Sequence, residues 1–176
     1  MSRSKNDTPR IYVADLSAYN NGRLHGAWID ATQDPDQIHE EIQAMLKKSP
    51  EPAAEEWAIH DFENFGGLQL SESEDMDKVS QVAKLIEEHG PLFAEVVSHF
   101  GGTQYLDDAV EAMEENYQGE YDDLADWAEQ FAKDTGASME NYENYIDWER
   151  VANDAEMGGD IFTVEVDGKV HVFFNH

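Results

Sequence analysis

The sequence contains no cysteine and few basic residues, and each absence excludes a class of protein. Without cysteine the chain has neither disulfide bonds nor thiolate zinc sites, which suits a reducing compartment. Only 11 of the 176 residues are Lys or Arg, against 39 Asp and Glu, so the formal net charge is −28. Direct binding of nucleic acid needs cations that replace phosphate counterions. A chain with this charge balance is expected to repel DNA.

Long apolar runs are also lacking. The segment from Met1 to Pro9 has no apolar core of a signal peptide, and no later run approaches the length that spans a bilayer. We therefore expect a cytoplasmic protein that does not contact a membrane. Leu, Ile, Val and Phe make up about a fifth of the chain, which is few for a globular protein. Nineteen aromatic residues recur at helix and strand spacing, however, and predict a folded chain with a thin core.

The first sixty residues predict a small α+β unit. Strands are expected at residues 10–16, 23–31 and 56–62, the first two forming a hairpin through the turn signal Asn20-Asn21-Gly22. Between the second and third strands, Asp34 and Pro35 begin a predicted helix whose buried positions are Ile38, Ile42, Met45 and Leu46.

The pattern becomes helical after Gly66-Gly67. Ser73 is predicted to cap a helix and Pro91 to begin the next, and Gly101-Gly102 ends it. Five apolar stripes define the helices. Their members are Met76, Val79, Val82 and Ile86; Leu92, Val96 and Phe100; Leu106, Val110, Met113 and Tyr117; Tyr121, Leu124, Ala128 and Phe131; and Tyr145, Trp148, Ala152 and Ala155.

The C-terminal residues predict a β-hairpin with Asp167-Gly168 as its two-residue turn. Pairing Val166 with Lys169 gives apolar side chains on both faces, so both faces are expected to be covered, one by helices and the other by a partner chain. The tentative dimer interface consists of Phe162, Val164, Val170, Val172 and Phe174.

Signatures of catalysis are absent from the sequence. There is no phosphate-binding glycine loop, no Gly-x-Ser-x-Gly and no His-Glu-x-x-His, so we expect no enzyme and no cofactor. One segment, Asp154 to Glu165, has the spacing of a calcium loop, but its third and fifth positions are Glu156 and Gly158. A helix-to-strand turn at Gly158-Gly159 is the favoured interpretation, and no metal site is predicted.

Acidic side chains are concentrated toward the C-terminus. Residues 1–50 have six basic and seven acidic side chains, residues 51–100 have two and 12, and residues 101–176 have three and 20. No Lys or Arg occurs between Leu106 and Gln130. Like charges at helical spacing destabilise a helix by a few tenths of a kcal/mol per pair, so a functional use of this charge is expected.

Carboxylates on helices can imitate phosphates. Acidic residues three or four positions apart lie roughly 4.5–6 Å apart along a helix axis, and 28 charges correspond to about 14 base pairs of duplex DNA. The candidate phosphate-mimicking residues are Glu72, Glu74, Asp75, Asp77, Glu87, Glu88, Asp107, Asp108, Glu111, Glu114, Glu115, Glu120, Asp122, Asp123, Asp126 and Glu129.

The sequence resembles the ArdA antirestriction proteins of plasmids and transposons over nearly its whole length. The segments that resemble the family are residues 11–16, 26–28, 58–63 and 144–148, and residues 106–119 resemble its antirestriction motif. The resemblance implies an α+β fold arranged as an elongated chain of three small domains, here an N-terminal α/β unit at 1–63, a central helical unit at 64–103, and acidic helices with the hairpin at 104–176.

The resemblance also implies a function. Such proteins are homodimers that mimic B-form DNA and occupy the DNA-binding groove of type I restriction-modification enzymes, in the methyltransferase core, without catalysis. Three alternatives remain open. One is an acidic chaperone or mimic that sequesters another basic DNA-binding protein. The others are a carboxylate hydrolase, which would need a cleft with a perturbed carboxyl group, and a calcium-binding module.

Overall fold

The computed structural model describes residues 7–136 and 143–175. Residues 1–6, 137–142 and 176 lie outside the described part. Most of the segment from Met1 to Pro9, on which the expected localisation depends, is therefore outside it too. The fold is α+β, as predicted. It divides into two compact units between Leu106 and Asp107, here called the N-terminal unit and the C-terminal unit. None of the described helices is long and apolar enough to cross a membrane.

The N-terminal unit contains a three-stranded antiparallel sheet. Strand β1 (Arg10–Asp15) lies between β2 (Gly26–Asp30) and β3 (Trp57–Glu63). Because side chains alternate along a strand, Ile11 and Val13 share the inner face with Ile29, and all three are buried. The three predicted strands and the antiparallel pairing of the first two are confirmed.

The connection between β1 and β2 differs from the predicted tight turn. A short helix, α1 (Leu16–Asn20), separates the strands, and the turn at Asn21-Gly22 follows it. Asp15 causes the change, because its buried carboxylate accepts hydrogen bonds from the backbone N–H of Ser17 (3.0 Å) and Ala18 (3.2 Å). These bonds satisfy N–H groups that a helix start otherwise leaves unpaired.

Three longer helices complete this unit: α2 (Pro35–Lys47), α3 (Met76–His89) and α4 (Pro91–Phe100). Their predicted apolar positions are buried, except Phe100, which is half-exposed. The predicted cap Ser73 is wrong, because α3 begins two residues later with Asp75 accepting from the N–H of Asp77. Asp34 does precede α2, but its carboxylate pairs with Lys84 rather than with a helix N–H.

The segments predicted as the first two domains share the N-terminal unit. The backbone N–H of Ile59 donates to the carbonyl of Glu72 (2.9 Å), and the Ser80 hydroxyl donates to the carbonyl of Gln33 (2.6 Å). Helix α2 also packs against α3. The three-domain arrangement is therefore not confirmed and stays a prediction.

Asp15→Ala should destabilise the N-terminal unit by about 2 kcal/mol at pH 7, because it removes a helix cap and leaves the half-buried hydroxyl of Ser49 without its acceptor. Asp34→Ala is the matched control, since Asp34 occupies a cap position without a cap bond. It should cost less than about 1 kcal/mol. Urea denaturation of both variants measures the difference, and equal losses would contradict the assigned role of Asp15.

The stability that Asp15 contributes should depend on pH. Burial raises the pKa of Asp15, but the hydrogen bonds from Ser49, Ala18 and Ser17 outweigh it and hold the pKa below its usual 3.8. A carboxyl group with a lowered pKa in the folded state stabilises the fold above its unfolded pKa and loses this contribution as pH falls through the folded pKa. The difference between wild type and Asp15→Ala should therefore shrink below about pH 4.

The C-terminal unit contains a second three-stranded antiparallel sheet. Strand β6 (Lys169–Phe174) lies between β4 (Tyr117–Tyr121) and β5 (Ile161–Val166), with helices α6 (Leu124–Asp134) and α7 (Trp148–Met157). The β5–β6 hairpin has the predicted register, with Val166 opposite Lys169. Asp167 and Gly168 both have positive φ (52° and 77°), as a type I′ turn requires.

Both faces of this sheet are covered by the chain itself. Ile161 and Val172 pack with Trp127 and Ala128 of α6 and Ala152 of α7. On the other face, Phe162 and Phe173 stack at 4.8 Å, and both are buried. Phe162, Val164 and Val172 of the tentative dimer interface are thus buried within one chain, whereas Val170 and Phe174 are half-exposed. The apolar hairpin faces need no partner chain to explain them.

Candidate functional site

Helix α5 (Leu106–Glu111) and a π-helical turn (Ala112–Asn116) form the acidic segment, which we define as residues 106–116. Its buried side consists of Leu106, Ala109, Ala112 and Asn116. The predicted stripe is wrong after Leu106, because Val110 and Met113 are half-exposed and Tyr117 belongs to β4. Leu106, Ala109, Ala112 and Asn116 lie three or four positions apart, so the buried side keeps ordinary helical spacing but is shifted from the predicted stripe already at Ala109.

The carboxylates of the acidic segment all face solvent. Asp107, Asp108, Glu111, Glu114 and Glu115 are exposed, and none forms a salt bridge with a Lys or Arg in the described part of the chain. These side chains can only accept hydrogen bonds when ionised. The segment therefore presents an uncompensated negative surface to a partner.

Strand β4 fixes the end of the acidic segment to the sheet. The sequence patterns predicted one helix with Tyr117 on its stripe and, after Gly119, another with Tyr121. They missed the alternation of Tyr117, Gly119 and Tyr121 that could have identified a strand. A bulge separates Tyr117 from Gly119, which adopts φ +122°. Such a conformation favours glycine. The acidic segment is thus held at its C-terminal end by strand pairing with β6.

Side-chain contacts between β4 and β6 also hold the end of the acidic segment to the sheet. The Tyr117 hydroxyl hydrogen-bonds to Nδ1 of His171 (2.7 Å), and its ring lies 5.0 Å from that of Phe173. Burial lowers the pKa of His171 although Glu120 opposes the shift, so the imidazole is neutral at pH 7. Burial also raises the pKa of Tyr117, with a smaller contribution from Glu120. Both rings are therefore uncharged at pH 7.

The candidate acidic residues within β4 and after it have two kinds of surroundings. Glu120 and Asp126 are exposed and form no salt bridge within the described residues. The other three have structural roles: Asp122 pairs with Lys169, Asp123 caps α6 through the N–H of Asp126 (2.9 Å), and Glu129 pairs with Lys133 (3.1 Å). The Asp122 carboxylate raises the pKa of Lys169. These three carboxylates therefore already form ion pairs or hydrogen bonds within the chain.

A similar division holds for the candidates of the N-terminal unit. Glu72, Asp77, Glu87 and Glu88 are exposed. Glu74 is half-buried and accepts from the hydroxyls of Thr103 and Ser71. Its role is structural, as is that of Asp75 at the start of α3.

The segment with calcium-loop spacing forms the end of a helix. The N–H of Gly158 donates to the carbonyl of Asp154 (2.9 Å) and that of Asp160 to Ala155 (3.0 Å), and β5 follows at once. This is the predicted helix-to-strand turn. Among the described residues, no three His, Asp or Glu side chains are grouped where they could hold a metal ion.

The fold and this surface define an acidic α+β protein with exposed carboxylates that form no salt bridge in the described chain. A sequence model of the antirestriction protein (ArdA) family matches residues 11–169. The chain therefore belongs to the ArdA family of antirestriction proteins, inhibitors of restriction rather than enzymes. A search of curated proteins found no match.

Proposed function

We propose that this protein inhibits type I restriction-modification enzymes by mimicking B-form DNA and occupying the DNA-binding groove of the methyltransferase core. The observation that supports the proposal is the acidic segment, whose five exposed carboxylates have no salt-bridge partner in the described chain. A DNA-binding groove is lined by cations that neutralise phosphates, and these cations can pair with carboxylates instead. No chemical step is needed, because occupancy alone excludes DNA.

Competition for DNA binding tests this function. Saturating protein should displace a labelled DNA duplex from a purified type I methyltransferase core, because both ligands use the same cations. The inhibition should weaken steeply between 50 and 300 mM salt, since many exposed ion pairs are screened together. Fluorescence anisotropy of the DNA measures displacement, and polyglutamate of matched total charge is the control.

Two results would contradict the proposal. Unchanged DNA binding at saturating protein would exclude occupancy of the groove. Equal displacement by polyglutamate would show that charge alone is sufficient and that the arrangement of the carboxylates is irrelevant. Displacement of DNA from an unrelated basic DNA-binding protein, but not from the methyltransferase core, would favour the acidic-chaperone alternative.

We further propose a symmetric homodimer formed through the C-terminal unit. Since the predicted hairpin residues are largely buried within the chain, the surfaces that support a dimer are different ones. Val151 and Met157 of α7 are 44% and 87% exposed, and Phe131 of α6 is also exposed. Strand β5 is an edge strand of its sheet and has one side without a strand neighbour in the described chain. A two-fold axis at such a surface would be self-complementary.

A further inference from the structure

A second surface lies on the outer face of the N-terminal sheet, away from the acidic segment in sequence. Residues that pair directly across antiparallel strands share a face. Tyr12 pairs with Trp28 on β2 and with Asp61 on β3, and Arg10 pairs with Asp30 and Glu63. Trp28 is 40% exposed, Asp61 is exposed and Tyr12 is half-exposed. Two large rings, three carboxylates and the Arg10 side chain therefore share one partly exposed sheet face.

The two rings are held in a fixed arrangement. Their centroids lie 5.4 Å apart with planes at 52°. The Tyr12 ring extends over Gly26 of the neighbouring strand, where a Cβ atom would lie 2.7 Å from the tyrosine hydroxyl oxygen. The absence of a side chain at Gly26 is what allows this position. The rings thus form a platform that exists before any partner binds, which lowers the entropic cost of binding.

Arg10 shows what this platform binds. Its guanidinium carbon lies 5.3 Å from the centre of the Trp28 ring, and the same group pairs with the Glu63 carboxylate. Within the described chain, the buried Nε of Arg10 has no hydrogen-bond partner. A guanidinium is therefore held here by an aromatic face and one carboxylate, although one of its donors stays unsatisfied.

We propose that Tyr12, Trp28 and Asp61 bind an Arg or Lys side chain from a basic segment of the restriction-modification enzyme, as a contact separate from the acidic segment. Glu63 is paired with Arg10 and Asp30 accepts from Thr32, so Asp61 is the carboxylate that a partner cation can pair with. The three carboxylates outnumber the one cation, Arg10, and this favours a cationic partner over an anionic or purely apolar one. Exposed carboxylates steer association but contribute little affinity singly. Buried aromatic contacts dominate the affinity of many interfaces. This inference rests on the proposed function for the identity of the partner.

Binding to the purified methyltransferase core tests the contact. Trp28→Ala should lower affinity about tenfold, mainly through faster dissociation. Asp61→Asn should also weaken binding, by more than Glu40→Gln, which removes one charge from an exposed position on α2 of the same unit. Leu24→Ala is the apolar control, since Leu24 is 89% exposed. If the test variants and their controls lose affinity equally, the proposal is overturned.

Asp61→Asn alters an exposed side chain, so it decides the result if circular dichroism shows that Trp28→Ala perturbs the fold. The slope of log affinity against log salt should change less for Trp28→Ala than for neutralisation of the acidic segment, because a ring contact releases no counterions. A Trp28→Ala slope that changed as much as that of an acidic-segment variant would assign Trp28 to the electrostatic surface instead.

A second measurement separates failure of this site from failure of the proposed function. The wild-type protein is titrated with a short arginine-rich peptide and, as a control, with the citrulline peptide of the same length. Indole N–H signals are followed by NMR, and Trp28 is assigned with Trp28→Phe. The Trp28 signal should shift selectively with arginine only, even if the methyltransferase core does not bind. Equal shifts of all indole signals, or equal shifts with citrulline, would overturn the site.

Discussion

Replacing the five exposed carboxylates of the acidic segment with amides should weaken inhibition of a type I enzyme by at least about thirtyfold, whereas Asp107→Asn alone should weaken it less than about fivefold. Each solvated ion pair contributes roughly 0.2–1 kcal/mol, and a groove lined with cations can shift onto neighbouring carboxylates when one is lost. Five losses remove every carboxylate of the segment. The five substitutions are Asp107→Asn, Asp108→Asn, Glu111→Gln, Glu114→Gln and Glu115→Gln.

Protection of unmodified DNA from cleavage by the type I enzyme measures this effect. The matched control neutralises five carboxylates elsewhere and changes the net charge by the same amount. Its positions are Asp36, Glu40, Glu41, Glu55 and Glu56, all exposed in the N-terminal unit. If the control variant loses as much inhibition, total charge rather than the acidic segment governs binding. If Asp107→Asn alone abolishes inhibition with the fold intact, a compact site replaces the distributed one.

The proposed dimer should tighten as salt rises, opposite in sign to partner binding. Two chains of net charge −28 repel each other, and screening of this repulsion favours association. Sedimentation velocity at 50 and 500 mM salt should show a larger dimer fraction at the higher concentration. A chain that is monomeric at micromolar concentration under both conditions, or that dimerises only at low salt, would contradict the proposal.

Substitutions on α7 locate the interface. Val151→Asp and Met157→Asp should give folded monomers if α7 is at the two-fold axis, because each places a charge in an apolar contact. Asn153→Asp adds the same charge at an exposed polar position of the same helix and is the control. Val170→Asp should instead unfold the C-terminal unit, since Val170 packs against the cluster around Trp127. Circular dichroism distinguishes the monomeric from the unfolded outcome.

Local sequence patterns were sufficient for much of this fold. The period-2 alternation at Ile11 and Val13, the helical spacing of Ile38 and Ile42, and the Asp167-Gly168 turn each predicted the observed element. The reason is that each of these elements buries one apolar face, so the spacing of apolar residues in the sequence indicates the type of element. The exposure of Asp107 and its neighbours was also predictable, because ionised carboxylates without a partner remain in water.

The sequence patterns failed where one polar side chain or one long-range contact decided the local structure. Asp15 ends β1 and begins α1 because its buried carboxylate accepts bonds from Ser17, Ala18 and Ser49, and Ser49 is 34 residues away. Asp75 rather than Ser73 caps α3, because the Asp75 carboxylate is the one that accepts from a backbone N–H of the first turn, that of Asp77. Short polar residues near a helix start are all potential caps, and only the final backbone path selects one of them.

Composition and charge determined which kind of partner this chain can have, since 39 acidic residues against 11 basic ones fix the sign of its surface. The tertiary structure alone decided how that surface is presented. Pairing of β4 with β6 holds the C-terminal end of the acidic segment, and strand pairing brings Tyr12, Trp28 and Asp61 onto one face although they are up to 49 residues apart. The physical reason is that charge sums over the sequence, whereas the direction of a side chain depends on hydrogen bonds to distant residues.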